Sequence, residues 1–211
     1  MQLILASTSP RRCELLALLG VPFEIIAPDF EEVPQPGWSP RQQVEHFARE
    51  KARSIAIARP TVLVLGSDTV IELDGQMLGK PVDLADARAM LTRLAGRPHY
   101  VHTAVALCRQ IPHHEAVAIE TATVQMKADD EAAIERYLAT QEPMGKAGAY
   151  SIQGAGGELI ETICGDFLGI VGLPLRRVAT LLAGGSVSVP VDVDVLYRDK
   201  PYPNWARFSN D

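Results

Sequence analysis

The chain has 211 residues, of which 47% are hydrophobic and 22% charged, and a formal net charge of −6. That balance excludes a disordered polymer, which lacks apolar side chains to bury, and the acidic sign disfavours a nucleic-acid polymer or an anionic membrane surface as partner. The length suits one globular unit, and no apolar run approaches the roughly 20 residues of a membrane helix.

Residues 2–7 read as a buried strand that runs into Ser7-Thr8-Ser9-Pro10-Arg11-Arg12. Ser9 is placed to cap a helix and Pro10 suits its first turn, while Leu15, Leu16, Leu18 and Leu19 supply an apolar face and Gly20 a stop. Hydroxyls and arginines at a helix N-terminus form a cradle for a polyphosphate, although the same residues also make an ordinary cap with solvated arginines. Residues 23–27 predict a second short strand, followed by an acidic, proline-rich connection with Asp29, Glu31 and Glu32. Ser39-Pro40 repeats the cap signature, and Val44, Phe47, Ala48, Ala52, Ile55 and Ala56 recur at helical spacing to about residue 58, with Lys51 near the middle.

Residues 61–66 and 70–73 read as strand segments separated by the polar break Ser67-Asp68-Thr69. Asp68 is thereby expected at a strand end, where α/β enzymes hold catalytic groups and where a carboxylate could bind a cation or accept a proton from water. Satisfying a turn is an equally common task for such an aspartate. Asp74-Gly75 signals a hairpin, Lys80 follows in Leu78-Gly79-Lys80-Pro81, and Asp83 with Asp86 predicts a helix cap before Gly96 closes that helix.

Residues 99–109 and 116–127 are expected to pair antiparallel around Pro112-His113-His114. Asp129 is expected to cap a helix to about residue 140, residues 145–157 form a glycine-rich loop, and residues 159–163 and 174–182 predict a strand and a closing helix. Gln153 in that loop carries an amide able to read the edge of a base. Beyond residue 184 the pattern changes: residues 187–194 alternate like an edge strand, and residues 197–208 read as an aromatic strap or tail. The expected organisation is a domain over residues 1–184 and an extension over residues 185–211.

Strand and helix alternate early and antiparallel strands follow, which predicts an α/β (mixed-sheet α+β) fold of two lobes around a cleft. Cys13, Cys108 and Cys164 are odd in number and lack CxxC spacing, so buried thiols and no zinc site are expected. With no secretory pattern at the N-terminus, the expected location is cytoplasmic. Gly154-Ala155-Gly156-Gly157 lacks the GxGxxG spacing of a dinucleotide site, no GxxxxGK[ST] is present, and the five histidines form no ligand pattern.

Five segments in order, Leu5-Ala6-Ser7-Thr8-Ser9-Pro10-Arg11-Arg12, Gly66-Ser67-Asp68-Thr69-Val70, Gly79-Lys80-Pro81, Lys146-Ala147-Gly148-Ala149-Tyr150 with Ile152-Gln153-Gly154, and Val171-Gly172-Leu173-Pro174, resemble the Maf family of nucleotide pyrophosphatases. The resemblance covers about residues 3–184 and implies a fold related to inosine triphosphate pyrophosphatases. It also implies divalent-metal-dependent (Mg2+ or Mn2+) hydrolysis of a nucleoside triphosphate to monophosphate and pyrophosphate. By that resemblance Asp68 is the catalytic residue, Ser7, Arg11, Arg12, Lys51 and Lys80 hold phosphates, and Glu32 with Asp68 holds the metal. Arg11, Thr69 and Gln153 match the branch acting on dTTP and UTP. The alternatives are the family's 7-methyl-GTP branch and a non-catalytic nucleotide sensor linked to division arrest. The implied partner is a small nucleotide, and a homodimer is left open.

Overall fold

The apolar run Leu3–Ala6 forms strand β1, buried on both faces. Alternation sends Leu3 and Leu5 to one side, against Leu15 and Leu16 of helix α1 (Pro10–Ala17), and Ile4 and Ala6 to the other, against Val44 and Ala48 of α2 (Pro40–Ala58). Between the helices, β2 (Glu24–Ile26) pairs parallel with β1, and β3 (Leu63–Leu73) pairs parallel with β1 on its other side. The computed structural model describes residues 2–128 and 130–208.

After β3 the sheet becomes antiparallel. The turn Asp74-Gly75, both residues at positive φ, reverses the chain into β4 (Gln76–Leu78), as a two-residue hairpin requires. Helix α3 (Leu84–Leu94) then leads to the long hairpin of β5 (Pro98–Arg109) and β6 (His114–Met126). Helix α4 (Glu131–Ala139), 3-10 turns at Ala147–Ala149 and Ala155–Leu159, β7 (Ile160–Cys164), α5 (Phe167–Val171), α6 (Leu175–Gly184) and α7 (Val193–Asp199) complete the order. The sheet order is β2-β1-β3-β5-β6-β7, with β4 on β3, so the expected mixed α/β fold is present.

Several expectations need correction. Residues 67–69 do not interrupt the strand: β3 is continuous, with Ser67, Asp68 and Thr69 in register with Val105, Ala104 and Thr103 of β5. Asp68 is therefore within a strand, but two residues beyond Gly66, where the pairing with β1 ends at Ala6. It still faces the crevice outside the carboxyl end of β1, the usual ligand position for parallel strands.

Residues 187–194 are not a strand. Val187 is buried and Ser188 exposed in an extended segment that packs on the main core, and Asp192 caps α7 through the amides of Asp194 and Val195. Ser9 occupies the N-cap of α1 without a side-chain cap bond, and Asp86 accepts from Val82 instead of completing the box at Asp83. The cap of α4 is Asp130; the expected Asp129 lies outside the described residues. Of the thiols expected to be buried, only Cys108 is: Cys13 is half-buried and Cys164 exposed.

Candidate active site

The carboxyl end of β1 opens into a cleft of about 700 Å³. Its floor depends on how closely α2 approaches β3. Ala48, Ala52 and Ala56 form a small-residue row on α2, and Gly66 lies beneath it. A Cβ on Gly66 would meet the Ala48 carbonyl at 2.2 Å and the Ala52 amide nitrogen at 2.8 Å, so only glycine permits this contact.

That proximity brings Lys51 of α2 to Asp68 of β3. Lys51 Nζ donates to Asp68 Oδ1 at 2.6 Å and to Glu32 Oε1, on the loop after β2, at 2.5 Å. Burial pushes the Asp68 carboxyl above its ordinary value, opposed by the charges of Lys51 and Arg12. Burial acts in the same direction on Glu32, but the Lys51 hydrogen bond and charge, aided by Lys80 and Arg12, hold it below the ordinary value. A carboxylate biased towards protonation beside one kept ionised is an arrangement suited to moving a proton.

Arg12 reaches the same centre from α1. Its Nη2 donates to Thr69 Oγ1 at 3.2 Å and lies 3.9 Å from Asp68 Oδ1, while Nε donates to the Gly172 carbonyl at 3.1 Å. Thr103 donates its hydroxyl to the Gly169 carbonyl at 2.7 Å, so in the 2.9 Å Thr69–Thr103 contact Thr69 is the donor. Proton directions are therefore fixed along the path Arg12, Thr69, Thr103, Gly169. Ser67 adds a second bond to the Gly172 carbonyl at 3.1 Å, satisfying the polar residues that interrupt the apolar pattern of β3.

The other wall is better suited to an incoming anion and its organic portion. Ser7 is buried and accepts from the Ser9 amide at 3.1 Å, beside the first turn of α1, whose leading amides have no intrahelical acceptor. Arg11, half-buried in that turn, makes no hydrogen bond or ion pair among the described residues, and its guanidinium lines the cleft. Lys80 also lines the cleft and is exposed. Gln153 lines the cleft from another loop, so all nine residues expected at the site, Ser7, Arg11, Arg12, Glu32, Lys51, Asp68, Thr69, Lys80 and Gln153, border one cleft.

Sequence reasoning assigned no role to three further lining residues. Phe30 edges the cleft and packs against Phe47 and His46. Lys146 donates to the Glu142 carbonyl at 3.0 Å. Glu142 accepts from Tyr137 Oη at 3.0 Å and from the Ala155 and Gly156 amides at 3.0 and 3.2 Å, fastening the loop that carries Gln153. An acid between a helix end and a glycine-rich loop was the available signal for Glu142.

No group of three His, Cys, Asp or Glu side chains forms a metal site among the described residues. Glu32 and Asp68 nevertheless place two carboxylate oxygens on one ammonium. Such a pair fits a hard divalent cation, which takes one or two carboxylates and completes its shell with phosphate and water oxygens.

A family model described as "Maf-like protein" matches residues 2–184. A dTTP/UTP pyrophosphatase of Symbiobacterium thermophilum is 47% identical over 181 residues, 86% of this chain and 92% of the relative. Another dTTP/UTP pyrophosphatase, from Shewanella oneidensis, is 44% identical over 195 residues, 89% of this chain and 100% of the relative. Among solved structures, the Ham1 protein of Staphylococcus aureus aligns with a TM-score of 0.44 at 16% identity, over 60% of this chain and 72% of its own.

Proposed function

The chain belongs to the Maf-like family, and from that premise we propose that it hydrolyses dTTP and UTP between the α and β phosphates, releasing pyrophosphate and the nucleoside monophosphate. The observation that carries this reading is the buried Asp68–Lys51 pair, joined by Glu32 at its exposed edge, in one cleft with Arg11, which makes no hydrogen bond or ion pair among the described residues. A nucleotide sensor needs the cations but has no use for a buried carboxylate held at an elevated proton affinity.

Asp68 takes a proton from the attacking water. Burial raises the proton affinity of its carboxylate, and Lys51 and Arg12 oppose that rise, which suits the group to accept a proton. Arg11, Arg12, Lys80 and the leading amides of α1 neutralise the triphosphate and the departing pyrophosphate, which is the main catalytic requirement of phosphoryl chemistry. Glu32 and Asp68 would hold a divalent cation, which when bound supplies positive charge for the phosphate oxygens.

For the base, Gln153 offers one donor and one acceptor, and Arg11 adds donors from the facing helix. Thr69 acts at one remove, because its hydroxyl accepts from Arg12. The expected location is the cytoplasm, a reading supported by three free thiols; among the described residues no helix is long and apolar enough to cross a membrane.

The test is pyrophosphate release from dTTP, UTP, CTP, GTP, 7-methyl-GTP and ITP, with and without magnesium or manganese, with Asp68→Asn as control. Metal-dependent release led by dTTP and UTP, lowered by on the order of 10²-fold or more in the variant, is expected. Preference for 7-methyl-GTP would retain the chemistry and overturn the specificity, whereas tight binding without release would establish the sensor.

A further inference from the structure

Residues 185–208 lie beyond the stretch matched by the family model, yet they pack against the loop that carries Gln153. Val187, Leu196, Trp205 and Phe208 are buried in the main core. Trp205 stacks on Phe167 with ring centroids 5.9 Å apart and planes at 9°, and Tyr197 donates its hydroxyl to Asp166 at 2.8 Å. This segment is docked firmly enough to act on its neighbours.

Its contacts fall on both base-side walls. Tyr202 donates to Glu14 at 2.7 Å, on the same helix as Arg11. Asn204, in a left-handed conformation at φ 63°, donates its amide to the carbonyls of Ile152 and Gly154, both at 3.0 Å. Those are the carbonyls of the residues immediately before and after Gln153. A Cβ on Gly157 would meet Asn204 Nδ2 at 2.9 Å, so the loop is shaped to admit this amide. Glu142 accepts from the amides of Ala155 and Gly156 that follow, so the loop carrying Gln153 is held by both residues.

We propose that Asn204 is a positioning residue for base recognition: the C-terminal segment fixes the carbonyls of the residues on either side of Gln153 and thereby sets the direction in which its amide meets the base. The inference rests on the reading of Gln153 as the base-reading residue. Preorganising a polar contact affects discrimination between bases more than the chemical step, because misplacing one such group removes the advantage of the correct base alone.

The experiment compares kcat/KM for dTTP and for CTP in the full chain, using Asn204→Asp, Gln153→Ala and the double variant. Aspartate keeps the shape and tolerates the left-handed backbone but points acceptors at two carbonyls. The dTTP preference is expected to fall about tenfold in Asn204→Asp, mainly through KM, with kcat for dTTP within about twofold of wild type. The double variant should lose no more preference than Gln153→Ala. Should Asn204→Asp fail to fold, Asn204→Gly, which retains the left-handed backbone and removes only the amide, is expected to give the same loss. If Gln153→Ala lowers the preference while the folded Asn204 variant leaves it unchanged, the inference is overturned and the Gln153 reading stands. If neither variant changes it, the Gln153 reading fails and the inference falls with it.

Discussion

Lys51 donates to Asp68 across 2.6 Å, from the middle of a helix to a residue within a strand, with both side chains buried. The same ammonium engages Glu32, so one positive charge separates two carboxylates. Removing it by Lys51→Met is expected to cost about 3–5 kcal/mol, the usual consequence of leaving a buried charge unpaired, less whatever Asp68 recovers by taking a proton. Turnover should fall with it. Adding Glu32→Gln removes the like charge and should restore part of the stability but little of the turnover. Urea unfolding of the two single variants and the double gives the coupling directly; additive losses would mean that the lysine does not hold the carboxylates together.

The path from Arg12 through Thr69 to Thr103 makes a second outcome calculable. Thr69→Val removes the acceptor of Arg12 Nη2 and the donor to Thr103. Loss of such bonds costs about 1–3 kcal/mol where the partners stay buried. With Arg12 less well aimed, KM for the triphosphate should rise several-fold, whereas Thr69→Ser should stay near wild type. Steady-state kinetics on the two variants separates the hydroxyl from the methyl group. A serine variant as impaired as the valine would show that packing, not hydrogen bonding, is the contribution at this position.

Gly66 tests whether the closeness of α2 to β3 matters for chemistry. Gly66→Ala forces its Cβ against the Ala48 carbonyl, so the helix must move and carry Lys51 away from Asp68. Overpacking of this kind costs about 1–3 kcal/mol, and turnover should fall further than stability alone explains. Gly184→Ala is the control, because open space surrounds that position within α6. Thermal unfolding and turnover of both variants decide it; full turnover in Gly66→Ala would separate the helix approach from the catalytic centre.

Much of this was legible from local pattern. The Ser39-Pro40 cap, the apolar spacing of α2, the Asp74-Gly75 turn and the β5–β6 hairpin all depend on neighbours within a few residues, and each formed as expected; Gln42 completes a capping box with Ser39 that was not anticipated from sequence. The continuity of β3 was not legible, because Ser67, Asp68 and Thr69 are satisfied by Gly172, Lys51 and Thr103, partners remote in sequence. Helix α5 (Phe167–Val171) was missed because five residues buried all round carry no period. The alternation of residues 187–194 suggested an edge strand, but without neighbouring backbone to pair with it makes an extended strap and no strand. Ordered motifs named most of the residues that border the cleft, though not Glu32 or Lys51, whereas Glu142 and Asn204 act on peptide groups, for which side-chain pattern gives little warning.

His99 gives the protein an acid sensitivity with a definite sign. Its ring is buried and contacts Tyr150 Oη at 2.7 Å, and burial lowers its pKa from 6.5 to about 4. Between those values the unfolded chain binds a proton at this residue that the folded chain does not, so stability is fully present above pH 6.5 and is lost as the pH falls towards 4. At about pH 5 the loss is about 2 kcal/mol. Glu32 and Glu115, whose carboxyls lie below their ordinary 4.5, give up their contributions only at lower pH, whereas Asp68 and Asp166, raised above 3.8, act in the opposite sense. A window from about pH 5 to pH 7 therefore isolates the histidine from the lowered carboxylates. His99→Gln, which retains a polar atom for Tyr150, should flatten the dependence by about that 2 kcal/mol, read as the difference in urea unfolding free energy between pH 5 and 7.5. Identical slopes in wild type and variant would mean that His99 accepts its proton within the fold.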